Sequence, residues 1–393
     1  MGTDVMKEIY LDNGATTKPS KGVIAKMTEA MADAYGNPSS LHRKGQQAEG
    51  YVTKARRILA EYMKVDPTTL YFTSGGTESI NTALWAAARK GERLGRHILT
   101  ARGEHPATTE TLKALEAMGY EIEYLELDQT GRILPESLRQ KLRPDTILIT
   151  CLHVNNETGV IQPIEEMGRI LETSESQALF HVDAVQSFAK LPVYPAKWHV
   201  DLLSASAHKF HGPKGVGCLY VRRGLMISPL IRGGGQEKKM RSGTENVPGI
   251  AGMGQAVQEA AEDLTGHSAY VQKLKLYLWE RIQKEIPEVW TNGPSPQEGA
   301  PHVLNVRFQD VRSEVLLHSL EDYGIFISSG SACSSNKPEE KSPALSAIGL
   351  TREQMDQSVR FSLSMYNTQE EMDETVEALK QTIPMLRRMK PRR

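Results

Sequence analysis

Two side chains of this sequence are of the types that form covalent bonds in catalysis, and both stand in unusual surroundings. Lys209 ends the run Ser206-Ala207-His208-Lys209, which Gly212-Pro213 soon follows. These neighbours are hard to explain if Lys209 is only a solvated surface residue. A lysine amine can attack a carbonyl group. Cys333 lies among small polar residues, 328–336, without the apolar period that would bury it. The sequence therefore predicts chemistry on an amine and on an exposed, reactive thiol.

The other two cysteines have different surroundings. Cys151 and Cys218 lie within apolar runs that are typical of β-strands, so we expect both to be buried in the core. Three cysteines in 393 residues do not make a disulfide framework, and their spacing matches no zinc motif. We therefore expect a reducing compartment and no bound metal.

Two polar motifs lie where strands are predicted to end. Ser74-Gly75-Gly76-Thr77-Glu78 stands between a strand and a helix, and the free N–H groups of a first helical turn can bind phosphate. An ordinary turn with Thr77 as the helix N-cap explains this motif, taken alone, equally well. Asp183, within residues 181–186, follows a strand, where open α/β sheets bind ligands. The alternative role for Asp183 is a loop cap.

Length and composition describe an ordinary globular protein. A chain of 393 residues with 39% hydrophobic and 24% charged residues can bury a sizeable core, and its length predicts two domains. The formal net charge of −1 gives no overall field that would attract nucleic acid or a membrane. Residues 1–6 lack the apolar stretch of a signal peptide, and no apolar run is long enough to span a bilayer. We expect a cytoplasmic protein without membrane or direct nucleic-acid partners.

The pattern of elements predicts an α/β fold followed by an α+β appendage. From about residue 70, short β-rich runs alternate with helices such as 78–90 and 108–118, which favours a largely parallel sheet. A helical stretch over 248–286 is expected to bridge two domains. We predict a large domain over residues 1–260, whose first 15 or so residues pack with a smaller domain over 261–393. The predicted strands are 70–73, 97–100, 121–127, 146–153, 179–184, 202–205, 216–221, 303–308, 325–328 and 359–363, and the last helix is 370–389.

These motifs, in this order, resemble the cysteine desulfurases of the NifS/IscS type, within the class-V aminotransferases. The resemblance covers nearly the whole chain. It implies a pyridoxal-phosphate (PLP) enzyme of fold type I, with a mostly parallel seven-stranded sheet between helices and a smaller α+β domain that carries the Cys333 loop. Further motifs that carry it are Tyr10-Leu11-Asp12-Asn13-Gly14-Ala15-Thr16-Thr17, residues 35–40, Gly103-Glu104-His105, residues 153–159, Met240-Arg241-Ser242-Gly243-Thr244 and residues 358–362.

The resemblance implies a role for each residue at the cofactor. Lys209 would hold PLP as a Schiff base and later move the α-proton of the substrate. Asp183 would pair with the pyridine nitrogen and keep it protonated. Gln186 would donate a hydrogen bond to the phenolate oxygen, and His105 would stack on the ring and shuttle a proton. The remaining implied cofactor contacts are Asn156 beside the ring, the phosphate-binding positions Gly76, Thr77, Ser206 and His208, and Thr244, which would reach the phosphate of the neighbouring subunit.

The resemblance also implies the substrate and partners. Arg360 would clamp the α-carboxylate of L-cysteine with its planar fork, beside Asn156 and with help from Asn37. Cys333, as thiolate, would attack the substrate sulfur, leaving L-alanine and a persulfide. The small residues around Cys333 predict a loop that moves between the cofactor and an external acceptor. A homodimer is implied, together with a sulfur acceptor, either an iron–sulfur scaffold protein or an enzyme of tRNA or cofactor thiolation.

Three other functions remain open from the sequence. An aminotransferase on the same fold would have no use for Cys333, whereas a selenocysteine lyase would use the same residues. A non-catalytic scaffold would be expected to have lost Lys209, Asp183 or Cys333, and all three are present. Residues 336–345 depart from the family pattern, which bears on acceptor choice. The basic tail, residues 387–393, is predicted to be a solvated terminus, with a docking site for an acidic acceptor as the alternative.

Overall fold

The computed structural model describes residues 7–329 and 342–388. Its α-helices are α1 (Lys21–Asp33), α2 (Arg43–Met63), α3 (Gly76–Gly91), α4 (Pro106–Ala117), α5 (Pro135–Lys141), α6 (Ile164–Glu172), α7 (Val247–Glu262), α8 (Leu264–Glu285), α9 (Ser313–Glu321), α10 (Pro343–Ala347), α11 (Arg352–Asp356) and α12 (Gln369–Arg388). Its strands are β1 (Ile9–Tyr10), β2 (Leu70–Thr73), β3 (His97–Thr100), β4 (Glu121–Tyr124), β5 (Thr146–Leu152), β6 (Leu179–Asp183), β7 (Leu202–Ser206), β8 (Gly217–Val221), β9 (Val289–Thr291), β10 (Val303–Phe308), β11 (Ile325–Phe326) and β12 (Ser358–Ser362).

A seven-stranded sheet forms the centre of the larger part, with the strand order β2-β8-β7-β6-β5-β3-β4. Neighbours from β7 to β4 pair in parallel, whereas β8 is antiparallel to both β2 and β7. Helices α2, α6 and α7 pack on one face and α3 and α4 on the other. Every residue of β5, β6 and β7 is buried, as strands covered on both faces should be. The predicted α/β fold with a mostly parallel sheet is therefore confirmed.

A separate apolar core lies in the C-terminal part. Strand β10 pairs antiparallel with β9 and β12, and helices α8, α9 and α12 contribute to the same buried cluster. The N-terminal strand β1 pairs in parallel with β11, and Ile9 and Leu11 belong to that cluster. Ala260 belongs to the core of the larger part and Val271 to this one. The division between residues 260 and 261 stays a prediction.

Several elements differ from the sequence predictions. The stretch 248–286 is two helices, because the backbone turns at Asp263, whose side chain caps α8 by accepting from Gly266 N. Helix α3 begins at Gly76 with Gly75 as its N-cap, so Thr77 is not the cap. Strand β4 ends at Tyr124 rather than at 127. Helices α1 and α2 precede the first predicted element and were missed. No helix among the described residues combines the length and the apolar character needed to cross a membrane.

Candidate active site

Lys209 lies immediately after strand β7, in the short 3-10 turn Ala207–Lys209. Its Nζ atom donates hydrogen bonds to the carbonyl oxygens of Gly14 and Ala15, both at 2.7 Å. The strand that precedes it is parallel to its neighbour β6, so the amine lies at the carboxyl edge of the parallel strands. Open α/β sheets bind their ligands at this edge.

Asp183 is the last residue of β6, the strand beside β7. Its side chain is almost fully buried, and Oδ1 accepts a hydrogen bond from Val185 N at 2.9 Å. Burial raises the pKa of Asp183 to about 6, while the positive charge of Lys209 acts in the opposite direction. A buried carboxyl of this kind is stabilised in its ionised form when a cation is placed against it.

His105 is the N-cap of helix α4, which follows strand β3. Its Nδ1 accepts a hydrogen bond from Ala107 N at 3.1 Å. Burial lowers the pKa of His105 to about 4, and the charge of Lys209 adds to that effect. The ring is therefore neutral at neutral pH, and because Nδ1 accepts, the proton is assigned to Nε2.

Gln186 reaches the same place as Lys209. Its Nε2 donates to the carbonyl oxygen of Gly14 at 2.9 Å, the oxygen that also accepts from Lys209 Nζ. An amide N–H group and an ammonium group therefore converge on one backbone oxygen. The Gln186 side chain is buried, so its orientation is restrained by packing.

The Gly75–Gly76 turn forms a cradle at the N terminus of helix α3. Gly75, at φ 152°, is an N-cap without a side chain, so no capping group occupies the N–H groups of the first turn. A Cβ on Gly76 would lie 2.8 Å from Val185 Cγ2 and 3.4 Å from Ser206 Cβ. Only glycine leaves this space open beside the Ser206 side chain. Such a helix terminus is suited to an anion.

His208, the remaining predicted phosphate ligand, lies in the same turn as Lys209. Its Nδ1 is 3.1 Å from Thr16 Oγ1. Burial, with smaller effects from neighbouring cations of which Lys209 is the largest, lowers the pKa of His208 to about 4. His208 therefore acts as a neutral hydrogen-bonding group in the protein alone.

This set of groups fits PLP. A lysine amine, a buried carboxyl for a protonated pyridine nitrogen, a neutral imidazole and an amide donor lie at the end of, or follow, strands β7, β6 and β3 of the same sheet. The cradle for a phosphate lies at the end of β2, two strands away from β7. The residues that would hold the cofactor are Lys209, Asp183, His105, Gln186, Gly76, Thr77, Ser206 and His208.

Arg360 lies in strand β12 and is almost fully buried. Its NH2 group donates to Asp12 Oδ1 at 2.7 Å, and NH1 donates to the carbonyl oxygen of Asn156 at 2.8 Å. Its Nε atom has no hydrogen-bond partner among the described residues. The guanidinium group therefore keeps N–H groups for a further acceptor.

The loop that carries Asn156 is held by its neighbour. Asn155 Oδ1 accepts from the backbone N–H groups of Glu157 and Thr158, both at 2.9 Å, and Asn155 Nδ2 donates to Gly103 O. This turn brings Asn156 against Arg360, so these two predicted substrate residues are adjacent. The turn also links them to the segment that leads into His105.

Cys333 lies outside the described residues, but both flanking segments are attached near Arg360. Ser328 pairs with Arg360 through the two backbone bonds of an isolated bridge, Arg360 N to Ser328 O at 2.7 Å and Ser328 N to Arg360 O at 3.1 Å. Ser342 Oγ donates to Glu157 Oε2 at 2.5 Å. Burial raises the pKa of Glu157 to about 7, against the effects of this hydrogen bond and of Arg360.

Two predicted residues are not joined to this group. Asn37 and Thr244 are exposed, and Asn37 Oδ1 accepts from Ser39 N at 2.9 Å. Within residues 7–329 and 342–388, no hydrogen bond or ion pair links either of them to Lys209, Arg360 or the cradle. Their roles stay predictions.

The N-terminal segment, residues 12–17, forms one wall of the site, although its residue types alone predict no role for it. Besides the contacts of Asp12, Gly14 and Ala15, Thr17 N donates to His208 O and Thr17 Oγ1 accepts from His211 N. The motif was noticed only as part of the family resemblance. A polar run of small residues placed directly after an apolar strand was the signal that could have identified it.

Predictions for three other residues can be compared with the structure. Cys151 and Cys218 are buried, as predicted, and burial raises the pKa of both thiols, that of Cys218 to about 12. The prediction of a solvated tail is wrong for Arg387, which lies in the last turn of α12 and donates to the carbonyl oxygens of Gln309 and Pro287. The residues after 388 lie outside the described part.

Comparisons with known proteins agree with this geometry. The family model described as aminotransferase class-V matches residues 9–375. The chain is 42% identical to a cysteine desulfurase IscS of Methanosarcina thermophila over 385 residues, 98% of this chain and 94% of that protein. A solved NifS-like protein superposes with a TM-score of 0.90 at 37% identity, covering 96% of this chain and all of that one. SspA, solved in complex with cysteine, gives 0.79 at 35% identity, covering 92% and 100% of the two chains.

These families depend on pyridoxal phosphate, which the residues at the carboxyl edge of the sheet fit. Full-length similarity and the shared fold extend over both parts of the molecule. The chain therefore belongs to the class-V aminotransferase family, among its cysteine desulfurases.

Proposed function

We propose that this protein removes sulfur from L-cysteine with the help of PLP, releasing L-alanine and keeping the sulfur as a persulfide on Cys333. The observation that carries the proposal is the convergence of Lys209, Asp183, His105 and Gln186 at one sheet edge. Membership of the cysteine desulfurases supports the same reaction. Among the relatives, a solved structure holds cysteine.

The cofactor, when bound, supplies an electron sink next to the α-carbon of the substrate. Lys209 would hold it covalently and would move the α-proton of the substrate. Asp183 would supply the negative charge that stabilises a protonated pyridine nitrogen, and Gln186 would donate to the phenolate oxygen. His105, neutral with its proton on Nε2, would lie against the ring and would deliver or take up a proton.

The sulfur transfer is a nucleophilic substitution at sulfur. The Cys333 thiolate attacks the substrate sulfur, the new S–S bond forms, and the Cβ–S bond breaks with its electron pair leaving on carbon. Protonation of that carbon yields alanine. No external oxidant is needed, because the S–S bond forms at the expense of the C–S bond.

The partner proteins are part of the same proposal. We infer a homodimer in which Thr244 reaches the phosphate in the neighbouring subunit, which is consistent with the exposure of Thr244. The persulfide is passed to an acceptor, either an iron–sulfur scaffold protein or a thiolation enzyme. A reducing cytoplasm suits a reactive Cys333 thiol.

The direct test is product analysis with the PLP-loaded enzyme. Incubation with one equivalent of L-cysteine per active site and no added reductant should yield one alanine per active site and one sulfur on the protein. Adding dithiothreitol should release that sulfur as sulfide and allow continued turnover. Formation of pyruvate and ammonia, or of an exchanged amino group, would instead indicate a lyase or an aminotransferase.

Arg360 is proposed to bind the α-carboxylate of cysteine. Arg360→Ala removes a buried charged contact, which typically costs roughly 2 to 4 kcal/mol. We therefore expect kcat/KM for cysteine to fall by about two to three orders of magnitude. Visible absorbance should show that the cofactor is retained. A decrease of less than fivefold would place the carboxylate site elsewhere.

A further inference from the structure

Arg360 already has a carboxylate bound to it before any substrate arrives. Asp12 Oδ1 accepts from NH2 at 2.7 Å, while the carbonyl of Asn156 accepts from NH1. Only 6% of the Arg360 side chain and 22% of the Asp12 side chain are exposed. The pair is therefore largely withdrawn from water. A charge-assisted hydrogen bond is stronger in such a buried environment than in water.

The backbone fixes both partners of this ion pair. Asp12 forms an isolated parallel bridge with Ser362, two residues after Arg360, and Ser362 N donates to Leu11 O at 2.7 Å. A Cβ on Gly14 would lie 3.1 Å from Arg360 Cζ, so this glycine lets the N-terminal segment lie directly on the guanidinium group. The position of Asp12 relative to Arg360 thus follows from strand pairing and not from a mobile side chain alone.

Other charged groups around Arg360 do not replace Asp12. Glu157 interacts with Arg360 through space, but burial raises its pKa to about 7, so its negative charge is incomplete at neutral pH. Lys190 and His302 are basic groups, and burial lowers the pKa of both, with a smaller effect in the same direction from the positive charge of Arg360. Among the described residues, Asp12 is the carboxylate that is hydrogen-bonded to Arg360.

We propose that Asp12 is a positioning residue that orients the Arg360 guanidinium group and weakens its hold on the α-carboxylate. The inference rests on the proposed role of Arg360 as the carboxylate clamp. The oxygen of Asp12 holds NH2 in place, and its negative charge repels a second carboxylate that approaches the same group. Substrate cysteine and product alanine carry the same α-carboxylate, so this repulsion also favours release of alanine.

Asp12→Asn separates these two effects, because the amide keeps an oxygen acceptor and removes the charge. Acetate, as an inhibitor of cysteine turnover, probes the carboxylate site alone. In the PLP-loaded variant, the inhibition constant for acetate should fall about tenfold and KM for cysteine severalfold. Inhibition by alanine should strengthen in parallel. Inhibition by acetamide, which has no charge, should not change.

Asp12→Ala removes the acceptor as well as the charge. The guanidinium group is then no longer held in place, so kcat/KM for cysteine should fall by about tenfold. The kcat/KM of the asparagine variant should instead stay the same or rise.

Asp373→Asn is the matched control, since Asp373 also pairs with an arginine, Arg281, but in the C-terminal part. That variant should leave both acetate inhibition and KM unchanged. Thermal melting and cofactor absorbance establish whether each variant is folded. If Asp12→Asn does not fold, Asp12→Ser, which also keeps an oxygen without the charge, is used in its place.

The outcome separates this inference from the proposed function. An Asp12→Asn enzyme whose acetate inhibition constant lies within twofold of the wild-type value, or above it, overturns the role of Asp12. If Arg360→Lys also leaves acetate inhibition unchanged, Arg360 is not the carboxylate clamp, and that part of the proposed function falls with it. A large effect of Arg360→Lys without an effect of Asp12→Asn overturns the role of Asp12 alone.

Discussion

Lys209→Ala should produce a folded protein that forms no measurable alanine from cysteine and lacks the visible absorbance of a lysine-bound cofactor. The amine is the group that both attaches the cofactor and moves the α-proton, so its removal ends two steps at once. Loss of a positioned proton-transfer group alone typically costs 10²- to 10⁴-fold in rate. We therefore expect turnover to fall by at least about a thousandfold. Absorbance spectra after PLP loading, with an alanine assay, measure both effects.

Lys190 provides the matched control for this prediction. It lies near Lys209, and its Nζ donates a long 3.4 Å hydrogen bond to Gln186 Oε1. Burial lowers the pKa of Lys190 well below its ordinary value, which makes it a second amine to test as the point of cofactor attachment. Lys190→Ala should nevertheless keep the visible absorbance. The reverse pattern, with absorbance lost in Lys190→Ala and kept in Lys209→Ala, would move the cofactor attachment to Lys190.

The main parts of the cofactor site could be predicted from local sequence patterns. Asp183 and Lys209 follow apolar runs, and the rule that open sheets bind ligands at the carboxyl ends of strands places such residues together. Gly75 and Gly76 stand between a strand and a helix, where the freedom of glycine is needed. In each case the chemistry and the element that positions it lie within ten residues of each other.

Contacts between distant parts of the chain could not be predicted in the same way. Asp12 and Arg360 are 348 positions apart, and Gly14 and Lys209 are 195 apart. No local period in the sequence encodes these pairs, because they arise when β1 pairs with β11 and when residue 12 bridges to residue 362. The N-terminal segment therefore appeared in the sequence only as a motif, while in the structure it contacts Lys209, Gln186 and Arg360.

Helix boundaries show a second reason for the differences. The run over 248–286 has helical character throughout, but Asp263 has φ −148° and ψ 58° and its side chain caps the next helix. An aspartate inside a helical pattern can either face solvent or end the helix, and only tertiary packing decides between these. The packing of α7 and α8 on two different apolar cores decides it here.

Of the three cysteines in the sequence, Cys333 lies outside the described residues. It follows Ser328, whose backbone is paired with that of Arg360, by five residues. Cys151 and Cys218 are buried in the sheet, and burial raises the pKa of both thiols, so neither is a competing thiolate. Cys333 is therefore the thiol that we expect to carry sulfur.

Cys333→Ser should keep the cofactor and still show the absorbance change that cysteine binding produces, yet release almost no alanine. A hydroxyl is a far weaker nucleophile toward sulfur than a thiolate, so turnover should fall by at least about a hundredfold. Incubation with ³⁵S-cysteine, followed by peptide mapping without reductant, should label the Cys333 peptide in the wild-type enzyme and no peptide in the variant. Cys218→Ser is the control. Its Cys333 peptide should be labelled as in the wild-type enzyme, provided that thermal melting shows the variant to be folded. Label on a Cys151 or Cys218 peptide, together with an active Cys333→Ser enzyme, would contradict the assignment.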